Sequence, residues 1–198
     1  LRCLILPIIK KYRMLYPKIR IRISNHSTPQ AIAALKEGTA DIAVVTTPTV
    51  RCASLLETDV KSIREVAICS PVFAALIGKK VTLSELSQYP LISLGVDTKS
   101  FAFYSAFFAE NRLPYRPDIE AFTADQILPM VEADLGIGFV PTDFLEKENM
   151  ENLIILNMEP PIPKRNICMI KRKYESLSIA AAELEKMILN NNSNNKRN

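Results

Sequence analysis

Hydroxyl and small residues gather at four places in this 198-residue chain where an apolar run stops and a helix pattern starts: residues 25–28, Thr46 with Thr47, residues 93–100 and residues 122–125. A helix N-terminus offers backbone N–H groups without intrahelical partners and a partial positive charge. Hydroxyls beside it make a cradle for an anion. The chemistry suggested is reversible binding of a small carboxylate, with Ser27, Thr28, Thr46, Thr47, Ser93, Gly95, Ser100 and Thr123 as candidate contacts. Thr28, Ser100 and Thr123 each also suit a plain capping role. Their recurrence at equivalent points of a repeated unit is what points to a ligand.

Nothing comparable speaks for catalysis. His26 is the single histidine, with no acid or nucleophile at a spacing that would make a triad, and it reads as an exposed loop residue. Glu146 with Glu148, and Glu183 with Glu185, read as solvated charges on polar faces or loops. Cys3, Cys52, Cys69 and Cys168 lie far apart, without Cys-x-x-Cys or histidine spacing, so neither a metal site nor a cofactor is expected. The apolar runs around most of them indicate buried, reduced thiols. Gly136-Ile137-Gly138 follows a helix pattern and precedes a strand pattern, the reverse of a dinucleotide fingerprint. One glycine is expected to stop the helix and the other to let the next strand approach closely.

The elements that must position these loops alternate in type. Leu4, Ile5, Ile8, Ile9, Tyr12 and Leu15 recur at helical spacing as far as Tyr16-Pro17. Ile19, Ile21 and Ile23 alternate with Arg20, Arg22 and Ser24, a strand pattern with one buried face. Thr28 before Pro29 reads as the N-cap of a helix closed by Gly38, and residues 41–45 suit a parallel strand buried on both faces. Residues 61–70 are β-rich, and residues 82–85 (Thr-Leu-Ser-Glu) match a capping box. A strand at 90–94 leads to a helix through Phe101, Phe103, Tyr104, Phe107 and Phe108, whose aromatic surplus would suit a subunit interface.

After a strand at 118–122, Thr123 with Gln126 opens a helix expected to run to Gly136. Strands at 137–140 and 166–170 and a helix at 176–189 close the pattern; residues 190–198 lack apolar periodicity. Strand, polar loop, capped helix and strand in repeated order predict an α/β fold of two doubly wound lobes, which bind ligands beyond the carboxyl ends of their strands.

Composition narrows the partners. Lys171, Arg172, Lys173, Lys196 and Arg197 outweigh the net charge of +4, so the body is nearly neutral and offers no basic face for nucleic acid. At 48% hydrophobic with few glycines, the chain is an ordered globule. No apolar run reaches the roughly 20 residues of a membrane span. Residues 1–9 lack the features of a signal peptide, so no membrane partner and a cytoplasmic location are expected.

Leu6-Pro7 in the opening helix, Tyr16-Pro17, Ala34-Leu35 through Gly38 to Asp41-Ile42-Ala43, and the Gly-Ile-Gly-Phe-Val-Pro run ending at Pro141 occur in that order. Together they resemble the effector-binding domain of LysR-type transcriptional regulators over nearly the whole chain. The resemblance implies two Rossmann-like lobes joined by two crossover strands near 66–70 and 166–170, like type 2 periplasmic binding proteins. Lobe I would comprise 1–67 and 171–190, lobe II 68–170, with 191–198 a disordered tail. It also implies a regulatory role rather than an enzymatic one, with a small-molecule effector in the cleft between the lobes and Phe139 among its contacts. A homodimer would form by packing the opening helix beside the first helix of the partner's second lobe, with a tetramer as the larger alternative in the full-length protein. DNA would be reached only through an N-terminal helix-turn-helix, which has no counterpart in this sequence. The family strand preceding the Leu-Pro helix has none either, which implies a gap in the first sheet. The alternative on the same fold is a solute-binding protein of a transporter, disfavoured by the reduced cysteines and the lack of a signal peptide.

Overall fold

The structure, a computed structural model, describes residues 2–145 and 152–194. Glu146, Glu148, Lys196 and Arg197 lie outside the described residues, as does the side chain of Cys3. In chain order the elements are α1 (Arg2–Leu15), α2 (Thr28–Lys36), β1 (Ala43–Thr46), β2 (Leu55–Ile63), β3 (Glu65–Cys69), β4 (Lys80–Thr82), α3 (Leu83–Leu86), β5 (Leu91–Leu94), α4 (Lys99–Glu110) and β6 (Ile119–Ala121). Then follow α5 (Ile127–Glu132), β7 (Ile137–Pro141), α6 (Thr142–Leu145), β8 (Ile154–Ile155), β9 (Asn157–Glu159), β10 (Arg165–Arg172) and α7 (Ile179–Asn194). They form two compact units: Leu1–Ser62 with Asn166–Asn198, and Ile63–Arg165.

The second unit is built on a five-stranded sheet ordered β6-β5-β7-β3-β8, with β4 and β9 as a separate parallel pair. β6, β5 and β7 run parallel, while β3 lies antiparallel to both β7 and β8. The sequence explains the central strands: β5 and β7 are buried on both faces, as strands of a covered parallel sheet must be. Their helices start where the capping patterns place them. Thr82 Oγ1 accepts from Glu85 N at 3.2 Å, and Gln126 Oε1 accepts from Thr123 N at 3.1 Å, opening a 3₁₀ turn that leads into α5.

α5 ends at Glu132, earlier than Gly136, and the left-handed residue is Asp134 with φ 63°. Aspartate tolerates that conformation better than most residues. Both glycines of the Gly-Ile-Gly run therefore serve close approach: a Cβ on Gly136 would stand 2.6 Å from the Pro90 carbonyl oxygen, and one on Gly138 2.5 Å from Ile127 Cγ2.

The aromatic series of α4 is consumed inside this unit. Tyr104, Phe107 and Phe108 are buried with Tyr115 and Phe139, and Phe101 and Phe103 pack on the margin of the same cluster. Tyr115 and Phe139 arrive from outside the helix to cover one flank, and Phe101 and Phe103 stay half-buried.

The first unit has the smaller sheet. Its strands are ordered β1-β10-β2, and β1 runs antiparallel to β10, from Ala43 opposite Ile170 to Thr46 opposite Ile167. β1 alternates buried with half-buried residues, which corrects the expected parallel strand buried on both faces. Ile32 and Leu35 of α2 pack on Ala43, Val45 and Ile170. Arg172 Nη1 donates to the carbonyls of Leu35 at 2.7 Å and Ala40 at 2.8 Å, satisfying acceptors that the end of α2 leaves open.

Residues 19–24 form no strand, although their alternation is strict. Alternation assigns side chains to faces, but a strand also needs a neighbouring backbone. No ladder among the described residues includes this segment. The expected strand-helix-strand crossover is therefore absent, and α2 leads directly into β1. α1 packs on α7, where the buried Tyr12 donates its hydroxyl to Ala180 O at 2.8 Å. Burial first, then Tyr16 and Glu183, holds that phenol above its usual pKa. α7 continues past residue 189 to Asn194, so the expected tail falls partly on this helix and partly outside the described residues. Among the described residues, no helix is long and apolar enough to cross a membrane.

Candidate functional site

In the second unit, parallel pairing of β5 with β6 puts residues 95–98 and 122–123 at the carboxyl ends of neighbouring strands. Ser93 is buried on β5, and its hydroxyl donates to Leu94 O at 3.0 Å. Gly95 keeps its place clear for Glu120, whose Oε1 would lie 2.7 Å from a Cβ there. Thr98, not Ser100, is the N-cap of α4: its Oγ1 accepts from Phe101 N at 3.1 Å and donates to Gly95 O at 2.7 Å. Ser100, displaced into the first helical turn, keeps its hydroxyl for other partners. Val96 and Phe122 stand out from these loops at 70% and 88% exposure, among polar neighbours. Phe139 is different, with its ring only 3% exposed and stacked on Tyr104 at a centroid distance of 4.6 Å. It supports α4 from within the core.

Behind Ser100 lies a feature that sequence reasoning missed. Arg165 and Glu65 form an ion pair at 3.1 Å with side chains 3% and 1% exposed. Arg165 Nη1 also donates to Ser100 Oγ at 3.2 Å, and its guanidinium lies 4.7 Å from the centre of the Phe103 ring. Tyr104 donates its hydroxyl to the other Glu65 oxygen at 3.1 Å. Burial pushes the Glu65 carboxyl up, opposed by the Arg165 charge and the Tyr104 hydrogen bond. The two residues are 100 positions apart. No local spacing could have paired them.

In the first unit, Ser27 is the N-cap of α2 and Thr28 its first helical residue, so the cap lies one position earlier than the sequence pattern placed it. Gln30 Oε1 accepts from Ser27 N at 2.9 Å, the return half of a capping box. Thr47 is fastened to β10 in both directions: its N–H donates to Asn166 O, and its hydroxyl accepts from Asn166 N, each at 2.9 Å. Thr46 ends β1 opposite Ile167. His26 is exposed in the loop before α2.

The first unit also holds a cavity of about 680 Å³, whose walls include Thr49, Arg51, Cys52, Glu57, Asp59 and Ile170. Glu57 and Asp59 project from one face of β2, two residues apart. Thr49 Oγ1 donates to Glu57 at 2.6 Å. The buried Cys168 donates to Asp59 Oδ1 at 3.1 Å. Burial and the two carboxylates push the Cys168 thiol far up, whereas hydrogen bonds from Ser54 lower that of Cys52. Cys52, Cys69 and Cys168 are all free thiols, with Cys69 and Cys168 buried and Cys52 half-buried.

Comparison with known proteins places this geometry in a lineage. The family model described as LysR substrate binding domain matches residues 2–192. The HTH-type transcriptional regulator AlsR of Bacillus subtilis is 24% identical over 148 residues, covering 73% of this chain and 48% of AlsR. The chain spans about half the length of the curated relatives it matches. Among solved structures, the regulatory domain of Synechocystis CcmR in complex with 2-PG superposes with a TM-score of 0.85 at 15% identity, covering 95% of this chain and 90% of that one. The effector-binding domain of QuiR in complex with shikimate gives 0.77 at 16% identity with the same coverages. At such identities these structures establish the shared fold.

Proposed function

We infer, from the premise that this chain belongs to the LysR substrate-binding domain family and is the effector-binding domain of a LysR-type regulator, that its effector is a small carboxylate held by the hydroxyl-bearing strand-end loops. The observation that carries this is the opening of α4. First-turn N–H groups and the Ser100 hydroxyl come together there, with the buried Arg165 guanidinium 3.2 Å behind that hydroxyl. Amides and a hydroxyl converging on one spot favour an anion, with the hydroxyl held from behind by the Arg165 guanidinium of the buried ion pair. Ser93, Gly95 and Thr123 flank this spot on the neighbouring strand ends, and Ser27, Thr28, Thr46 and Thr47 are the corresponding contacts in the first unit. The ligands named for CcmR and QuiR, 2-PG and shikimate, support a small-metabolite effector.

In the whole protein, the effector would bias two arrangements of the domain by binding one better than the other. A homodimer, or a tetramer built from it, would pass that bias to helix-turn-helix domains on DNA, in the cytoplasm. The relatives are transcriptional regulators, so the transporter alternative has no observation in its favour.

A thermal-shift screen of small carboxylates, including 2-PG and shikimate, should yield at least one that stabilises the protein. For that compound, Ser100→Ala and Thr123→Ala should each weaken binding roughly tenfold or more, as expected for losing a hydrogen bond to a charged group. Unchanged affinity in both variants would reject this placement.

A further inference from the structure

We propose that Arg165, held by Glu65, is a positioning residue of the effector site: it turns the Ser100 hydroxyl into a fixed donor that meets an acceptor group of the ligand. This rests on the reading of the opening of α4 as an effector contact.

The polarity follows from the chemistry of the two groups. A guanidinium carries donors only, and a serine hydroxyl has one hydrogen to give. Arg165 Nη1 donates to Ser100 Oγ at 3.2 Å, so the hydroxyl hydrogen must point away from the arginine. Among the described residues no acceptor takes that hydrogen. A hydroxyl oxygen that accepts a charge-assisted hydrogen bond is polarised toward donation, which strengthens the bond it can offer to a carboxylate or phosphate oxygen.

The arginine is itself fixed. Its Nη1 also donates to Glu65 Oε1 at 3.1 Å, and the two side chains are 3% and 1% exposed. Ser100, Phe103 and Tyr104 are spaced by three and four residues, which puts them on one face of α4. All three grip the pair: Ser100 accepts from Arg165, the centre of the Phe103 ring lies 4.7 Å from the guanidinium, and the Tyr104 hydroxyl donates to the second Glu65 oxygen at 3.1 Å. Shifting Ser100 away from Arg165 breaks a buried charge contact, so the donor is in place before a ligand arrives. That lowers the ordering cost of binding.

A second hydroxyl beneath the same turn favours a polar ligand. The Tyr115 ring lies 5.4 Å from that of Phe101 in the first turn of α4, and its hydroxyl is buried without a hydrogen-bond partner. Burial raises the pKa of that phenol, opposed by the Ser93 hydroxyl close by. Buried polar atoms are nearly always paired, so donors left uncommitted at one end of a helix mark a place where a ligand completes the hydrogen bonding.

Lysine at position 165 would keep the charge beside Glu65 but lose the planar fork that holds two partners in one geometry. The test therefore titrates the full chain with 2-PG, shikimate and acetate and reads affinities from the NMR shifts of the Lys99 and Ser100 amides. Arg165→Lys should weaken a probe that moves these amides roughly tenfold. In the Ser100→Ala background the same change should cost no more than about twofold, because its effect passes through the Ser100 hydroxyl. A general loss of order would act alike in both backgrounds. Tyr104→Phe removes only the hydroxyl that holds Glu65. It should show the same dependence on Ser100 at smaller size, and it keeps the test decisive if Arg165→Lys does not fold. If no probe moves these amides, the effector placement fails and this proposal with it. If a probe binds there and Ser100→Ala weakens it, but Arg165→Lys changes nothing or costs as much with Ser100→Ala as without, the positioning role is overturned and the effector placement stands.

Discussion

The two units of this domain solve the same packing problem with different means. The second covers a five-stranded sheet with an aromatic core and locks a buried ion pair inside it. The first has three strands and an aliphatic cluster of Ile32, Leu35, Ala43, Val45 and Ile170, with Ile8, Tyr12, Val60, Ile167, Met169 and Ile188 also buried, and it leaves polar groups on β2 facing a cavity. The contrast teaches where adaptability can reside. A unit whose charges are buried and paired has little freedom to rearrange without breaking expensive contacts. A unit whose Glu57 and Asp59 are exposed beside a cavity can rearrange those side chains at small structural cost.

Substitutions can break this comparison, beginning with the largest expected effect. Arg165→Met strands the Glu65 carboxylate in the core and should cost about 3–5 kcal/mol in urea unfolding. The double variant Arg165→Met with Glu65→Leu should recover part of that loss, since no buried charge remains. Hydrogen exchange should show the damage in Ile63–Arg165, while amides of β1 keep their protection; equal loss in both units would refute the contrast.

Leu35→Ala should cost about 2–5 kcal/mol by opening a cavity in the aliphatic cluster under α2, with the exchange pattern reversed. The smallest expected effect is at Thr98. Thr98→Ala removes the cap of α4 and should cost about 1 kcal/mol. That loss would be confined to the helix that presents Ser100.

Much of the second unit was legible because its signals are local. The Thr82 and Thr123 capping patterns and the apolar runs of β5 and β7 each act within a few residues, and all are found in place. The caps of α2 and α4 were misplaced by one and two positions, because several hydroxyls stand together and only backbone geometry chooses among them. Residues 19–24 failed as a strand for a different reason: the pattern was right, but the neighbour was missing. Of the candidate contacts, Ser93, Gly95 and Thr123 fall on adjoining strand ends of one sheet, while the Phe139 ring is committed to the core.

By itself the sequence determined the α/β class, the helix starts to within one or two positions and the hydroxyl-rich loops, because capping and hydrophobic periodicity are decided between residues within one or two turns. Tertiary structure alone decided that β1 runs antiparallel to β10, that Arg165 meets Glu65 behind Ser100, and that Cys168 faces two carboxylates on the next strand. Each of these joins residues more than 90 positions apart. Strand pairing and burial bring them together, and the resulting desolvation and charge pairing have no signature in local spacing.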